Sequence, residues 1–245
     1  MISIFFLLLF AHTLSDFVLQ TSYIFKLKVK NIWGVVLHSA IFFFCAILLT
    51  RPLYEHSFTF VVWLLAVTLS HIVIDKVKII INRNIIQKEI IYFFLDQLLH
   101  IAAMATIFFL PFDFTEDLVS ENSLFFLSYS YDFIKDWRLF IRFSFICSLA
   151  IYVSYAVEVV LYYYDRTVSE KVGGLKYNIA AMLYRVFVFI LFISPFHLLG
   201  ILPIVARYYL DKARLVYDKR RYIIENGIVV LLVIIYYMYQ SEISF

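Results

Sequence analysis

Long apolar runs constrain this chain more than any other feature of its sequence. Most of them approach the ~20 residues that an α-helix needs to cross a bilayer. Hydrophobic residues make up 64% of the chain and charged residues 16%, against about 45–50% and about 25% in soluble domains. The sequence therefore predicts an all-α, polytopic transmembrane helical bundle. The apolar runs are Ile2–Leu19, Ile32–Leu49, Phe58–Ile74, Ile90–Leu110, Leu139–Tyr164, Ile179–Ile193, Phe196–Leu210 and Ile223–Tyr239.

The number of spans depends on how the sixth and seventh runs are interpreted. Both are short, and Pro195 lies between them, so they can form a helical hairpin, one kinked helix or a re-entrant pair. We predict eight segments, with seven as the alternative. The chain is interpreted as one integral membrane domain over 1–245, made of a motif-bearing half (1–110), an acidic external connection (111–138) and C-terminal helices (139–245).

Basic residues concentrate in alternate connections between the apolar runs. Sixteen of the 21 lysines and arginines lie in the connections that follow the first, third and fifth runs or precede the last. Because basic residues stay on the cytoplasmic side, this alternation orients the chain with both termini outside. The residues are Lys26, Lys28, Lys30, Lys76, Lys78, Arg83, Lys88, Arg166, Lys171, Lys176, Arg207, Lys212, Arg214, Lys219, Arg220 and Arg221.

The basic connections also bear on partners. The stretch from Arg207 to Arg221 can contact anionic headgroups or dock a cytoplasmic protein, although the orientation rule alone accounts for it. No nucleic-acid-binding module surrounds these charges, so no nucleic acid is expected. The oligomeric state is left open.

Ionisable residues recur at matched positions inside the apolar runs. Three runs each carry a His and an Asp at i,i+4, which places both side chains on one helix face. With the orientation above, all of these residues and one further histidine fall in the cytoplasmic half of the membrane, so four helices can bring them to one pocket. They are His12 with Asp16, His71 with Asp75, Asp96 with His100, and His38.

Imidazole and carboxylate groups together suit Zn, Mn or Fe. The seven residues exceed one tetrahedral site, so one or two divalent transition-metal ions are predicted, and Asp16, Asp75 and Asp96 are the candidate catalytic groups. Such a centre lowers the pKa of bound water. Hydrogen bonding between helices and a proton relay are the alternative interpretations of the same residues.

Arg185 is a weaker candidate, for binding a substrate phosphate. A guanidinium group binds phosphate in a bidentate manner. The favoured interpretation is that Arg185 neutralises Glu158 or Glu225 inside the bundle.

These motifs resemble those of a family of bacterial integral membrane proteins known as domain of unknown function 3307. The family opens with Ala-His-x3-Asp-Phe-x-Leu-Gln, as in Ala11–Gln20, and continues with a helix-starting histidine, His-x3-Asp and Asp-Gln-x2-His. Its C-terminal motifs are approximated by Gly173-Gly174, Tyr184-Arg185 and Glu225-Asn226-Gly227. The resemblance implies a multi-pass protein of the bacterial cytoplasmic membrane. Its layout is similar to that of membrane-bound metal-dependent hydrolases, an analogy only.

Three functions are therefore considered. The first is metal-dependent hydrolysis of an amphiphilic ester or phosphoester whose tail lies in the lipid. The second is a transporter or channel for protons or cations. The third is a non-catalytic membrane component of a signalling or defence system.

Overall fold

The computed structural model describes residues 2–54, 58–84, 89–110, 137–168, 175, 177–213 and 218–243. Within these ranges the regular structure is entirely helical and contains no strand, which confirms the all-α prediction. Among the described residues, five helices are long and apolar enough to cross a membrane, and a sixth span results if one bent helix pair counts as a single span. The count of eight segments and the external termini stay predictions.

The chain divides into two units, residues 1–148 and 149–245. The single-domain interpretation stays a prediction. Residues 111–136 of the acidic connection, and the Gly173-Gly174 motif, lie outside the described residues.

Four helices of the first unit close into a ring. Helix α1 packs on α3, α3 on α4, α4 on α5, and α5 on α1. The interior contains fully buried Leu7, Leu8, Phe42, Leu64 and Met104. The first unit contains α1 (Ile2–Thr13, continued by a π-helical turn at Leu14–Val18), α2 (Ser22–Lys30), α3 (Ile32–Tyr54), α4 (Phe58–Asn84), α5 (Glu89–Ala105, then a 3₁₀ turn at Thr106–Phe109) and residues 137–148 of α6 (Trp137–Ile151).

Helix α2 lies across the end of α1, at 91° to it. The Thr21 side chain caps its start by accepting a hydrogen bond from the Ile24 amide. At its end, the Asn31 side chain accepts one from the Gly34 amide and so begins α3. Tyr23 and Phe25 are exposed, as expected for a helix along the membrane interface. The charge pattern alone predicts only a basic connection at these residues, and the helix is an addition from the structure.

Gly34 allows α2 and α3 to approach closely. A Cβ at this position would lie 2.1 Å from the carbonyl carbon of Leu27. Only glycine lets the two backbones come so near each other.

The second unit is built around the end of α6 (residues 149–151), α7, α8 and α10. Helix α8 packs on the π-helical turn between α6 and α7 and on α10, and α7 also packs on α10. Helix α8 ends at Ser194, whose backbone is extended, so the sixth and seventh apolar runs form two separate helices. The helices are α7 (Val157–Val168, after the π-helical turn Tyr152–Ala156), α8 (Ile179–Ile193), α9 (Ile201–Ala213, after a 3₁₀ turn at His197–Gly200) and α10 (Lys219–Ile243).

Candidate metal centre

The structure brings all seven predicted residues together inside the first unit's helix ring. Each comes from a membrane-span helix or its continuation: α1, α3, α4 and α5. All seven side chains are buried, with relative exposures between 0% and 9%. They are His12, Asp16, His38, His71, Asp75, Asp96 and His100.

The end of the first span positions Asp16. The chain widens from an α-helix to a π-helix at Leu14–Val18, and the Leu19 amide donates to the Leu14 carbonyl at 2.8 Å. Single π-helical turns occur frequently at functional sites. The Ser15 hydroxyl has two alternative acceptors, the His12 carbonyl at 2.9 Å and Asp16 Oδ1 at 3.1 Å.

Asp16 Oδ1 faces imidazoles from three helices. It lies 3.2 Å from His38 Nε2, 3.5 Å from His12 Nδ1 and 3.7 Å from His71 Nε2. One carboxylate oxygen therefore connects α1, α3 and α4.

Asp75 faces two of the same imidazole nitrogens. Its Oδ2 lies 3.5 Å from His71 Nε2 and 3.6 Å from His38 Nε2. Its Oδ1 lies 3.9 Å from His100 Nε2, which in turn lies 3.6 Å from Asp96 Oδ1. The carboxylates and imidazoles thus form one continuous polar cluster.

Ring packing holds the imidazoles in place. His71 and His100 stack with their centroids 4.1 Å apart. Phe42 stacks on His71 at 5.2 Å with the ring planes 3° apart. This aromatic packing fixes the direction in which the His71 nitrogens point.

The donor set suits a transition-metal ion. The described residues contain three groups that could each hold a metal ion, and within each group the candidate ligand atoms lie within 4.8 Å of one another. The groups are His12–Asp16–His71, His38–His71–Asp75 and Asp75–Asp96–His100. In the part of the chain that the structure describes, Nε2 of His12 and Nδ1 of His38 are buried without a hydrogen-bond partner. Nδ1 of His12 and Nε2 of His38, His71 and His100 have carboxylate oxygens 3.2–3.9 Å away, but these contacts lack hydrogen-bond geometry. Buried polar atoms are normally satisfied, and metal coordination would satisfy these nitrogens.

Two lysines also contact the cluster, although the sequence pattern alone indicates only their cytoplasmic location. Lys28 Nζ lies 2.7 Å from Asp75 Oδ1, and Lys78 Nζ lies 2.6 Å from Asp96 Oδ2. Lys28 also donates to Gln20 Oε1 at 3.2 Å, and Gln20 donates to the Asp16 carbonyl at 3.1 Å.

Only one of these lysines carried a usable sequence signal. Lys78 follows His71 and Asp75 at i+7 and i+3, which places all three on one face of α4. Lys28 lies on α2, and no periodic pattern links that helix to Asp75.

Arg185 lies in the second unit and is fully engaged with acidic partners there. Its Nη1 lies 2.6 Å from Glu225 Oε1 and its Nη2 lies 2.5 Å from Glu158 Oε1. Its Nε and Nη2 also donate to the carbonyls of Val153 and Ser154, in the π-helical turn after α6. The structure thus shows the neutralising arrangement, whereas a role in binding substrate phosphate stays a prediction.

The chain matches the family described as "Protein of unknown function (DUF3307)" over residues 4–126. The matched stretch contains all seven residues of the cluster and both lysines. No curated protein and no solved structure matches the chain.

Proposed function

We propose that this chain, which belongs to the DUF3307 family, holds one or two divalent transition-metal ions in its helix ring and hydrolyses an amphiphilic ester or phosphoester in the bacterial cytoplasmic membrane. The observation that carries the proposal is the meeting of four imidazoles and three carboxylates from four helices in one buried cluster. Charged residues in membrane spans are costly and are retained mainly for function.

The seven cluster residues would serve as ligands or would orient the ligands. A bound ion would act as a Lewis acid and would lower the pKa of a water molecule towards neutrality. A carboxylate of Asp16, Asp75 or Asp96 that does not contact an ion would take the proton of the attacking water. The water oxygen would form a bond to the ester centre, the bond to the alcohol oxygen would break, and the alcohol would leave with a proton.

The cluster's depth defines how a substrate would approach. With basic connections on the cytoplasmic side, the cluster lies in the cytoplasmic half of the bilayer. A substrate with a polar head and an apolar tail would keep the tail in the lipid and place the head at the cluster. The proposed substrate is therefore a lipid or a similar amphiphile.

Metal content of the purified protein tests the first part of the proposal. Protein purified in detergent without chelators is expected to contain near-stoichiometric Zn, Mn or Fe by elemental analysis. His38→Ala and Asp96→Asn should lose most of it. His197→Ala is the matched control, because His197 is exposed and lies in the second unit. A wild-type metal content no higher than that of the cluster variants would overturn the proposal.

Activity tests the second part. Metal-loaded protein should hydrolyse a chromogenic long-chain alkyl ester or phosphoester, and chelation should abolish the hydrolysis. Metal-loaded protein without such activity would limit the function to metal binding.

Transport of protons or cations is the second candidate function, and two observations favour it. The first span departs from α-helical geometry at Asp16, and transporter sites are often formed at broken helices. Lys28 and Lys78 pair with buried carboxylates, as groups that exchange protons and cations would. Proton or cation flux in proteoliposomes that is lost in Asp16→Asn, from protein without bound transition metal, would favour this candidate over hydrolysis.

A further inference from the structure

We propose that Lys28 and Lys78 bind the phosphoryl group of the substrate, so that the site takes phosphoesters rather than carboxylic esters. This inference rests on the proposed function, because it assigns a substrate class to the same site. The positive-inside rule places both lysines in cytoplasmic connections, whereas the structure pairs them with carboxylates of the cluster.

Both ammonium groups lie against proposed metal ligands. Lys28 contacts Asp75 Oδ1 and Lys78 contacts Asp96 Oδ2. These two carboxylates belong with His100 to one of the candidate ligand groups. An anion bound to an ion held by this group would therefore lie near carboxylates that both ammonium groups contact.

Burial distinguishes Lys28 from its neighbours on α2. Lys28 is 8% exposed, whereas Lys26 and Lys30 are exposed. The Gln20 side chain holds Lys28 at 3.2 Å, and Gln20 is fixed in turn to the Asp16 carbonyl. Lys28 is therefore directed into the cluster by the same segment that positions Asp16.

Lys78 lies nearer to the surface of the cluster. Its side chain is 21% exposed, whereas those of Asp75 and Asp96 are 1% and 2% exposed. The ammonium group also lies over the Phe93 ring, 5.4 Å from its centroid. A substrate head that enters from this side would meet Lys78 before it meets the histidines.

Once metal is bound, the charge balance of the cluster favours an anionic ligand. Three carboxylates and two ammonium groups, with neutral imidazoles, leave one net negative charge. One divalent ion changes this to one positive charge, and two ions change it to three. Buried charge is costly unless it is paired, and a phosphoryl group supplies one or two negative charges with several acceptor oxygens. A carboxylic ester supplies none.

The same chemistry can come from a lipid headgroup or from free phosphate. Lysine binds phosphate as a point charge and forms charge-assisted hydrogen bonds, whichever source supplies it. The alkyl tail of a lipid ligand changes only its affinity for the site, not the contacts of its phosphoryl group with the lysines.

Calorimetric binding to the full-length protein in neutral detergent tests the inference. The probes are inorganic phosphate, dodecyl phosphate and an uncharged dodecyl ester. Wild-type protein loaded with Mn²⁺ should bind both phosphates and not the ester, and chelated protein should bind phosphate at least about tenfold more weakly. Tighter binding of dodecyl phosphate than of inorganic phosphate would assign the ligand to an amphiphile, and equal binding would assign it to free phosphate; both results support the phosphoryl site.

Variants identify the groups responsible. In the Mn²⁺-loaded state, Lys28→Met and Lys78→Met should each weaken phosphate binding about tenfold or more without loss of metal, and Lys28→Arg should retain part of it. Lys26→Met is the matched control and should bind phosphate as the wild type does. If the lysines only balance the carboxylates, their removal would tighten metal binding and leave phosphate binding unchanged, which would overturn the inference.

Two results separate this inference from the proposed function. Purified protein that binds no metal would contradict the proposed function, and this measurement needs no phosphate. Protein that binds metal but binds phosphate equally well with and without it, or binds no phosphate at all, fails only the present inference. The wild-type comparison needs no variant, so the inference can be tested even if Lys28→Met does not fold.

Discussion

Lys28 and Asp75 form a buried ion pair, with Nζ 2.7 Å from Oδ1, that joins the short helix α2 to the span α4. Removing one partner of a buried pair leaves an uncompensated charge, which costs about 3–5 kcal/mol. Removing both leaves no such charge. The pair therefore couples α2 to the interior of the ring.

A double-mutant cycle should detect this coupling. In chelated protein, Asp75→Asn and Lys28→Met are each expected to lower the free energy of unfolding by about 3 kcal/mol. The double variant should lose little more than either single variant. Unfolding by titration with a denaturing detergent gives the three values. Losses that add within about 0.5 kcal/mol would show that the pair is not coupled.

Gly34→Ala should separate α2 from α3. The new Cβ would lie 2.1 Å from the Leu27 carbonyl carbon, so the two backbones must move apart. The expected loss of stability is about 1–3 kcal/mol, and phosphate binding to the Mn²⁺-loaded protein should also weaken because Lys28 is displaced from the cluster.

Gly227→Ala is the control for this prediction. Gly227 also lies within a helix, α10, but a Cβ there meets nothing within 4 Å. Alanine favours a helix interior by up to about 1 kcal/mol over glycine, so this variant should be unchanged or slightly more stable. Equal losses in the two variants would mean that close packing at Gly34 is not the cause.

The helical architecture and the meeting of the seven residues followed from local sequence patterns. Apolar runs of membrane length predict helices, and a His and an Asp at i,i+4 share a helix face whatever the tertiary packing. His38 has no i,i+4 partner, and only its predicted depth in the membrane, inferred from the charge alternation, links it to the other six residues. The structure brings all four histidines within reach of Asp16 or Asp75.

The buried position of Lys28 could not be predicted from the sequence. The charge of Lys28 satisfies the orientation rule equally well in a solvated connection or in a buried pair. Its placement depends on a 91° turn after the first span and on close contact at Gly34. Both are tertiary features, and neither leaves a periodic signal in the sequence.

Arg185 should be essential for folding of the second unit. Arg185→Met would leave Glu158 buried without its cation and remove one of the two arginines that contact Glu225. The expected loss is about 3–5 kcal/mol, measured as reduced yield of monodisperse protein and a lower thermal midpoint. Replacing all three residues, as Glu158→Gln, Arg185→Met and Glu225→Gln, should restore much of it.

An exposed ion pair of the same unit is the control for Arg185. Arg221 Nη1 lies 2.8 Å from Asp165 Oδ2, with side chains 43% and 33% exposed. Exposed pairs contribute about 0–1 kcal/mol, so Arg221→Met should leave the thermal midpoint nearly unchanged. A comparable loss in both variants would argue against the buried network as the source of stability.

Metal binding should stabilise the protein selectively. Any ligand that binds only the folded state adds RT ln(1 + [L]/Kd), about 2.7 kcal/mol at a hundredfold excess over Kd. Chelated protein should therefore melt at a higher temperature after addition of Mn²⁺ or Zn²⁺, measured by scanning fluorimetry. Mg²⁺ prefers oxygen ligands in octahedral geometry and should give a smaller shift, because four of the seven candidate ligands are imidazoles.

His12→Ala provides the internal test of this stabilisation. His12 is fully buried and belongs to one candidate ligand group, so the shift produced by metal should shrink in the variant even though its starting midpoint is lower. The comparison uses only the change on adding metal, which separates lost coordination from lost packing. An undiminished shift in His12→Ala would place the stabilising ion outside the His12–Asp16–His71 group. Equal shifts with Mg²⁺ and Zn²⁺ would argue against coordination by the imidazoles.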